Sequence, residues 1–242
     1  MSATQSEKAV AFRALHQGPG AFIMPNPYDA GAVRLLEGLG FMAFATSSGA
    51  AAGVLGRKDG QITRDESLAH ARAIIIATDL PVSADLEKGF GDAPVDAALT
   101  IRLAGEIGLV GGSIEDSTGN PEKPLFDFNH AVERVAAAAE AARKHPFPFT
   151  FTARAENFLR GKPDLDDTIR RLQAFEKAGA DVLFAPGLPD LRPCARSVRP
   201  CANRSASWSA SRASRSPWPS SKRPACAASA WPLRCTAQRW RA

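Results

Sequence analysis

Between Ala21 and Ala185 the chain alternates short apolar runs with longer stretches of helical period. Runs at 21–24 (AFIM), 41–46 (FMAFAT), 81–85 (PVSAD), 110–114 (VGGSI), 148–153 (PFTFTA) and 181–185 (DVLFA) predict strands. Segments 29–38, 65–79, 94–107, 129–144 and 165–178 predict the helices between and after them, with a leading helix over 5–17. Strands separated by helices of this length form βα units around a parallel sheet. Helix punctuation agrees with that division. Thr63 stands three residues before Glu66, Asp164 precedes Asp166 and Asp167 where carboxylates favour the helix dipole, and Gly40, Gly108 and Gly179 follow helical stretches. The pattern predicts an α/β fold, a (β/α)8 TIM-type barrel lacking its last two βα units. An open doubly wound sheet is the competitor. It fits less well, because no Gly-rich phosphate fingerprint follows the first strand and polar residues stand after nearly every strand, not at one switch point.

The pattern stops at Leu191. Every Cys and every Trp lies in residues 192–242, a tail with eleven Lys or Arg and no Asp, Glu or Gly. The net charge of +5 therefore joins an acidic body, residues 1–191, to a basic tail rich in Arg, Ser, Pro and Ala. As written, the tail has the composition of a disordered nucleic-acid-binding arm, with cations for phosphates and indoles for bases. A second reading is that it is translated out of frame. One base earlier, each Trp or Cys codon becomes an NTG codon for Leu, Met or Val. A permitted choice of GC-rich codons then yields a strand, an amphipathic helix, a turn, another strand and a further helix start, which are the missing units in order. On that reading the tail's charge, thiols and indoles carry no function, and no nucleic-acid partner is expected.

The body narrows the possible chemistry. With no cysteine before Cys194 it holds neither a disulfide nor a thiolate metal site, so any metal is bound by oxygen or imidazole. No basic leader with an apolar run and no apolar stretch of about 18 residues is present, so a cytoplasmic protein without a membrane partner is expected. His16, His70, His130 and His145 fall on predicted helices or their ends, away from the strand exits. Asp29 reads as a helix N-cap beside Tyr28.

Polar residues gather at the predicted strand exits. Asp85 and Glu87 are two apart after the third strand, which in an extended chain points both to one side, and Gly89 and Gly91 allow a turn and close ligand approach. Clustered carboxylates repel, and a hard divalent cation relieves this. Glu115 and Asp116 stand at the fourth exit. Thr46, Ser47, Ser48 and Gly49 after the second strand offer hydroxyls and N–H groups to a carboxylate, and Arg57, Lys58 and Asp59 follow. Arg154, after the fifth strand, is a fork for a substrate carboxylate or phosphonate.

In this order the motifs Asp85-x-Glu87-x-Gly-Phe-Gly, Ile114-Glu-Asp, Ala153-Arg154, Thr-Ser-Ser-Gly and Gly179-Ala-Asp181 resemble those of the isocitrate lyase/phosphoenolpyruvate mutase family over about residues 20–190. The resemblance implies a (β/α)8 barrel using Mg2+ or Mn2+ to cleave or rearrange C–C or P–C bonds of small oxo or hydroxy acids. It implies that Asp85 touches the metal, that Asp59, Glu87 and Glu115 hold it largely through water, that Ser47 and its neighbours grip the substrate, and that Arg154 binds its carboxylate. Glu87 replaces the Asp usual in the best-known members. Family members that cleave isocitrate or methylisocitrate carry a Lys-x-Cys-Gly-His loop after the fourth strand. Here the loop Ser117–Pro124 has neither Cys nor His, so isocitrate lyase activity is not expected, and Lys123 or Asn120 is the candidate acid/base within a lid. A phosphonate mutase or hydrolase is the enzymatic alternative. An intact member is expected to be a homo-oligomer built through C-terminal helices that this tail cannot supply.

Overall fold

The computed structural model describes residues 2–19 and 21–188, together with two backbone strands farther on, Ala206–Ser209 and Gln238–Trp240. Six strands of the body alternate with helices: α1 (Gln5–Gln17), β1 (Ile23–Met24), α2 (Ala30–Gly38), β2 (Phe44–Ala45), α3 (Ser48–Val54), α4 (Arg64–Ile76), β3 (Val82–Asp85), α5 (Pro94–Glu106), β4 (Gly111–Glu115), α6 (Phe128–Arg143), β5 (Thr150–Arg154), α7 (Leu165–Ala178) and β6 (Val182–Pro186). The later strands are β7 and β8. Strands β2 to β6 are parallel neighbours in sequence order.

The expected start and stop signals act as read. Thr63 and Glu66 form a reciprocal capping box on α4, Asp29 accepts the Ala32 N–H at 2.7 Å, and Asp164 accepts the Asp167 N–H at 2.9 Å. Gly179 ends α7 in the left-handed region, at φ 108°. The element α3 was not expected. The segment read as a gripping loop at Thr46–Gly49 turns into a short helix at once, because Ser47 caps it and the following alanines continue it.

The eight strands run in the order β1-β8-β7-β6-β5-β4-β3-β2, and the two ends of that order meet: the Ala45 N–H donates to Pro25 O at 3.1 Å. The ring is thus the TIM-type arrangement for β1 to β6. It departs from a (β/α)8 barrel afterwards, since β8 runs antiparallel to both β7 and β1. Apart from these two backbone strands, the tail's expected disorder, nucleic-acid binding and altered frame fall outside the described residues.

Two apolar layers hold the body. The larger lies between the sheet and its helices and includes Phe44, Ile74, Leu86, Ile101, Phe151 and Phe175. The smaller closes the N-terminal end of the ring, where α1 sets Phe12 against Met24, Val110 and Val182. Phe12 fits because Gly111 has no side chain: a Cβ there would lie 2.8 Å from the Phe12 ring. Polar groups are therefore left to the opposite, C-terminal end. Among the described residues no helix is long and apolar enough to cross a membrane.

Candidate active site

The C-terminal ends of β2 to β6 surround a cavity of ≈ 930 Å³. Thr46, Ser47, Ser48, Gly49, Asp59, Asp85, Glu87, Glu115 and Arg154 all line it. Each comes from a strand end or the loop after it, as the location of sites in barrels requires.

The β3 exit is built differently from the expected alternation. The strand ends at Asp85, and Glu87 adopts a left-handed backbone at φ 51°, with its N–H donating to Asp85 Oδ1 at 3.2 Å. A turn, not strand periodicity, brings the two carboxylates together. Gly89 and Gly91 do not approach the cavity. A Cβ on Gly89 would lie 3.0 Å from Ala97 Cα and one on Gly91 2.3 Å from Asp96 Cγ, so both glycines serve packing against α5. The turn is fixed from behind, where Arg134 donates to the carbonyls of Lys88 and Ala93, and Arg64 and Thr100 donate to Gly89 O.

Asp85 also receives the Ser48 hydroxyl, at 3.2 Å, and the Ser48 N–H, at 3.4 Å. The second-strand segment thus touches the central carboxylate directly. Asp59 lies against Gly49, where a Cβ would sit 3.6 Å from its Cγ. Arg57 turns away to pair with Glu66 on the surface at 2.8 Å.

Arg154 occupies the centre. It lies 3.1 Å from Asp85 Oδ1, 3.3 Å from Glu115 Oε2 and 2.9 Å from Glu156 Oε1. Burial alone would lower its pKa; the carboxylates of Glu156, Asp85 and Glu115 outweigh that and hold it well above the ordinary value. The acids respond in the other direction. Burial, with Asp85 and Asp59 nearby, pushes Glu87 up to about 7. Burial and the neighbouring Glu156 raise Glu115 as well.

These groups suit a divalent cation in charge and donor type. Glu87 Oε1 is buried without a hydrogen-bond partner, and oxygen donors of this kind are those that hard cations take. Among the described residues no three His, Cys, Asp or Glu side chains form a metal-binding group, and Arg154 contacts both Asp85 and Glu115 as their counter-charge.

Several expected residues lie elsewhere. Asp116 is buried behind the cavity, accepting from Glu156 N–H at 2.8 Å and Arg171 Nη1 at 3.1 Å. Lys123 pairs with Asp127 at 2.6 Å on the surface, and the Asn120 side chain accepts the Glu122 N–H within the same exposed turn. Neither lines the cavity, whose β4-loop wall is Ser117, Thr118 and Gly119. That loop is closed on itself by the Ser117–Leu125 bridge and the Thr118 N–H to Pro124 O bond, which turn its tip outward.

Two acid and base partners were not anticipated. Glu156 is fully buried and clamps Arg154; its position two residues after Arg154 in a strand-like exit was the available signal. Arg160 reaches in from the following turn, with Nη2 2.8 Å from Glu115 Oε1.

The description of the family of phosphoenolpyruvate phosphomutase matches residues 12–204. The chain belongs to this family. It is 31% identical to 2-methylisocitrate lyase of Escherichia coli (strain K12) over 189 residues, covering 75% of this chain and 62% of the relative. It is 32% identical to oxaloacetate decarboxylase of Bradyrhizobium diazoefficiens, again covering 62% of the relative and 73% of this chain. A solved structure of a candidate lyase/mutase from Burkholderia cenocepacia J2315 shares 56% identity at a TM-score of 0.79, over 82% of this chain and 71% of that one. The chain thus spans about six-tenths of the length of these curated relatives. The similarity is to a lyase and a decarboxylase, and it falls on the part of the molecule that carries the cavity.

Proposed function

We propose that this chain carries the catalytic body of a Mg2+- or Mn2+-dependent lyase-type enzyme that cleaves a C–C bond in a small 2-oxo or hydroxy carboxylic acid. The observation that carries this reading is the convergence of Asp59, Asp85, Glu87 and Glu115 with Arg154 in one cavity at the strand ends, with Glu87 Oε1 left buried and unpartnered. Asp85 is the carboxylate that would touch the cation, and Asp59, Glu87 and Glu115 would hold its water. When bound, the ion supplies Lewis-acid stabilisation of charge developing on the substrate's oxo or hydroxyl oxygen.

The protein's own groups orient the acid. Ser47, Ser48 and Gly49 line the cavity beside Asp85 and would hold one carboxylate oxygen of the acid. Arg154 supplies a planar fork for the carboxylate, held in orientation by two bonds to Glu156 Oε1, at 3.0 and 2.9 Å. The loop Ser117–Pro124 contains no thiol or imidazole. Proton transfer of the kind expected for cleavage of isocitrate itself therefore has no thiol or imidazole in that loop, and this reading takes an acid other than isocitrate as the substrate.

A phosphonate-handling mutase or hydrolase on the same residues is the second reading, since a guanidinium fork accepts a phosphonate as well as a carboxylate. Calorimetric titration of Mg2+ into the protein, followed by turnover assays with oxo and hydroxy diacids and with phosphonopyruvate, separates them. Asp85→Ala is expected to abolish both the Mg2+ heat and turnover. Absence of Mg2+ binding by the unaltered protein would sink the catalytic reading, and phosphate release from phosphonopyruvate without C–C cleavage would favour the second.

A further inference from the structure

Among the described residues the cavity wall contains three cations, Lys88, Arg154 and Arg160, and they differ in how fully their donors are used. Lys88 donates to Asp92 at 2.6 Å and to Thr118 O at 2.8 Å. Arg154 has a side chain only 12% exposed and is shared among Asp85, Glu115 and Glu156 through all three of its nitrogens. Arg160 is different. Its side chain is 40% exposed, a single nitrogen makes a close contact, to Glu115 Oε1 at 2.8 Å, and Nε stands 3.7 Å from Glu156 Oε2. Of the five N–H donors of a guanidinium most remain unspent, in the wall of the cavity.

Its location adds geometry to that chemistry. Arg160 follows β5 in the turn after Arg154, and the two guanidiniums share Glu115, which Arg154 Nη2 approaches at 3.3 Å and Arg160 Nη2 at 2.8 Å, so a group on Arg160 lies within the reach of a short diacid whose other end is on Arg154. The arginine is not on a free-floating loop. Its N–H donates to Glu156 O at 3.0 Å, and the neighbouring Leu159 packs against Gly187 beyond β6, where a Cβ would lie 3.0 Å from Leu159 Cδ2. Glu115 does not require Arg160 as its only counter-charge, because Arg154 already lies 3.3 Å from it.

We propose that Arg160 is a specificity-determining residue that receives a second carboxylate of the substrate, so that the site selects acids carrying a carboxylate at each end. The proposal rests on the reading of this cavity as a cation-assisted acid site, with the first carboxylate held near Ser47 and Arg154. The fork of Arg160, beside Arg154 on Glu115, then sorts substrates by their distal group, whereas Arg154 and Asp85 treat all 2-hydroxy and 2-oxo acids alike.

Malate and lactate differ by just that distal carboxylate and test it. Calorimetry of each acid with the full chain in saturating Mg2+ is expected to show malate binding at least about tenfold more tightly. Arg160→Met is expected to weaken malate by about ten- to a hundredfold and leave lactate unchanged, and Arg160→Lys to recover part of the loss. Equal weakening of both acids would overturn the proposal, assigning Arg160 to the support of Glu115. No change in either would also overturn it, as would equal affinity of the unaltered protein for the two. If the unaltered protein bound neither acid in Mg2+, the reading of the cavity as an acid site would fall with it, whereas equal binding of both would defeat the role of Arg160 alone.

Discussion

Arg154 Nη1 lies 3.1 Å from Asp85 Oδ1, so the arginine expected to hold substrate is paired with the carboxylate expected to hold metal. A guanidinium and a divalent cation therefore compete for Asp85 and Glu115. Replacing Arg154 with Gln leaves Glu115 and Glu156 buried without their main cation and is expected to destabilise the metal-free protein by about 3–5 kcal/mol. The same change is expected to strengthen Mg2+ binding while abolishing binding of the acid. Chemical denaturation in chelator and Mg2+ titration measure the two effects; a loss of Mg2+ affinity in Arg154→Gln would contradict the competition.

The raised acids give the metal-free protein a specific pH dependence. Glu87 at about 7, Asp116 at about 6 and the elevated Glu115 bind protons more tightly folded than unfolded, so their contribution is fully present below the unfolded values near 4. It is lost as pH rises through 6 to 7 and beyond. His16 opposes this, since burial lowers its pKa and its contribution is lost as pH falls below 6.5. Three acids outnumber one imidazole. Urea denaturation in chelator is expected to show lower stability at pH 8 than at pH 5.5, and saturating Mg2+ to narrow the gap. A metal-free protein that gains stability across this range would show that the acids are not burdened by burial.

Much of the site could be read in advance because its residues follow strand ends whose positions hydrophobic runs mark. Asp85, Glu115 and Arg154 each close a strand in the structure. The missed parts depend on tertiary packing. Arg134 and Arg171 sit on helix faces, where a sequence reading assigns arginine to water, yet both are buried as anchors for loop carbonyls and carboxylates. The helix α3 was obscured by Gly49 and Gly53, which weaken helical propensity over so short a stretch. Lys123 and Asn120 are expected from the sequence in a lid after the fourth strand, but the hairpin closed at Ser117 and Leu125 carries them outward.

Asp167 illustrates the support behind the cavity. It accepts from Arg171 Nε at 2.8 Å, Arg170 Nη2 at 2.5 Å and Asn157 Nδ2 at 2.9 Å, and Arg171 in turn holds Asp116. Although burial alone would raise it, these donors lower its pKa to about 2. A depressed carboxylate contributes stability above its unfolded value of about 3.9, lost as pH falls through 2. Asp167→Ala is expected to cost about 1–3 kcal/mol at neutral pH. The cost should vanish in denaturation measured near pH 2; a penalty that persists there would assign it to packing instead.

The opposite end of the ring offers a test of the fold at the floor of the cavity, which Phe12 and Met24 also line. Phe12 is 1% exposed and closes the N-terminal end against Gly111, Met24, Val110 and Val182. Phe12→Ala removes a buried aromatic from a place where the surrounding strands are fixed by their ladders, so the cavity cannot collapse fully. A loss of about 3–5 kcal/mol is expected. Gly111→Ala attacks the same contact from the other side, because its Cβ would also lie 2.9 Å from Thr150 O, a backbone atom that cannot swing away. In the double variant the methyl group enters space vacated by the ring, yet the backbone clash persists. Phe12→Ala should therefore relieve only part of the Gly111→Ala penalty, and a cycle of equilibrium denaturation measures that coupling. Full additivity would mean that Phe12 does not pack on Gly111 in solution.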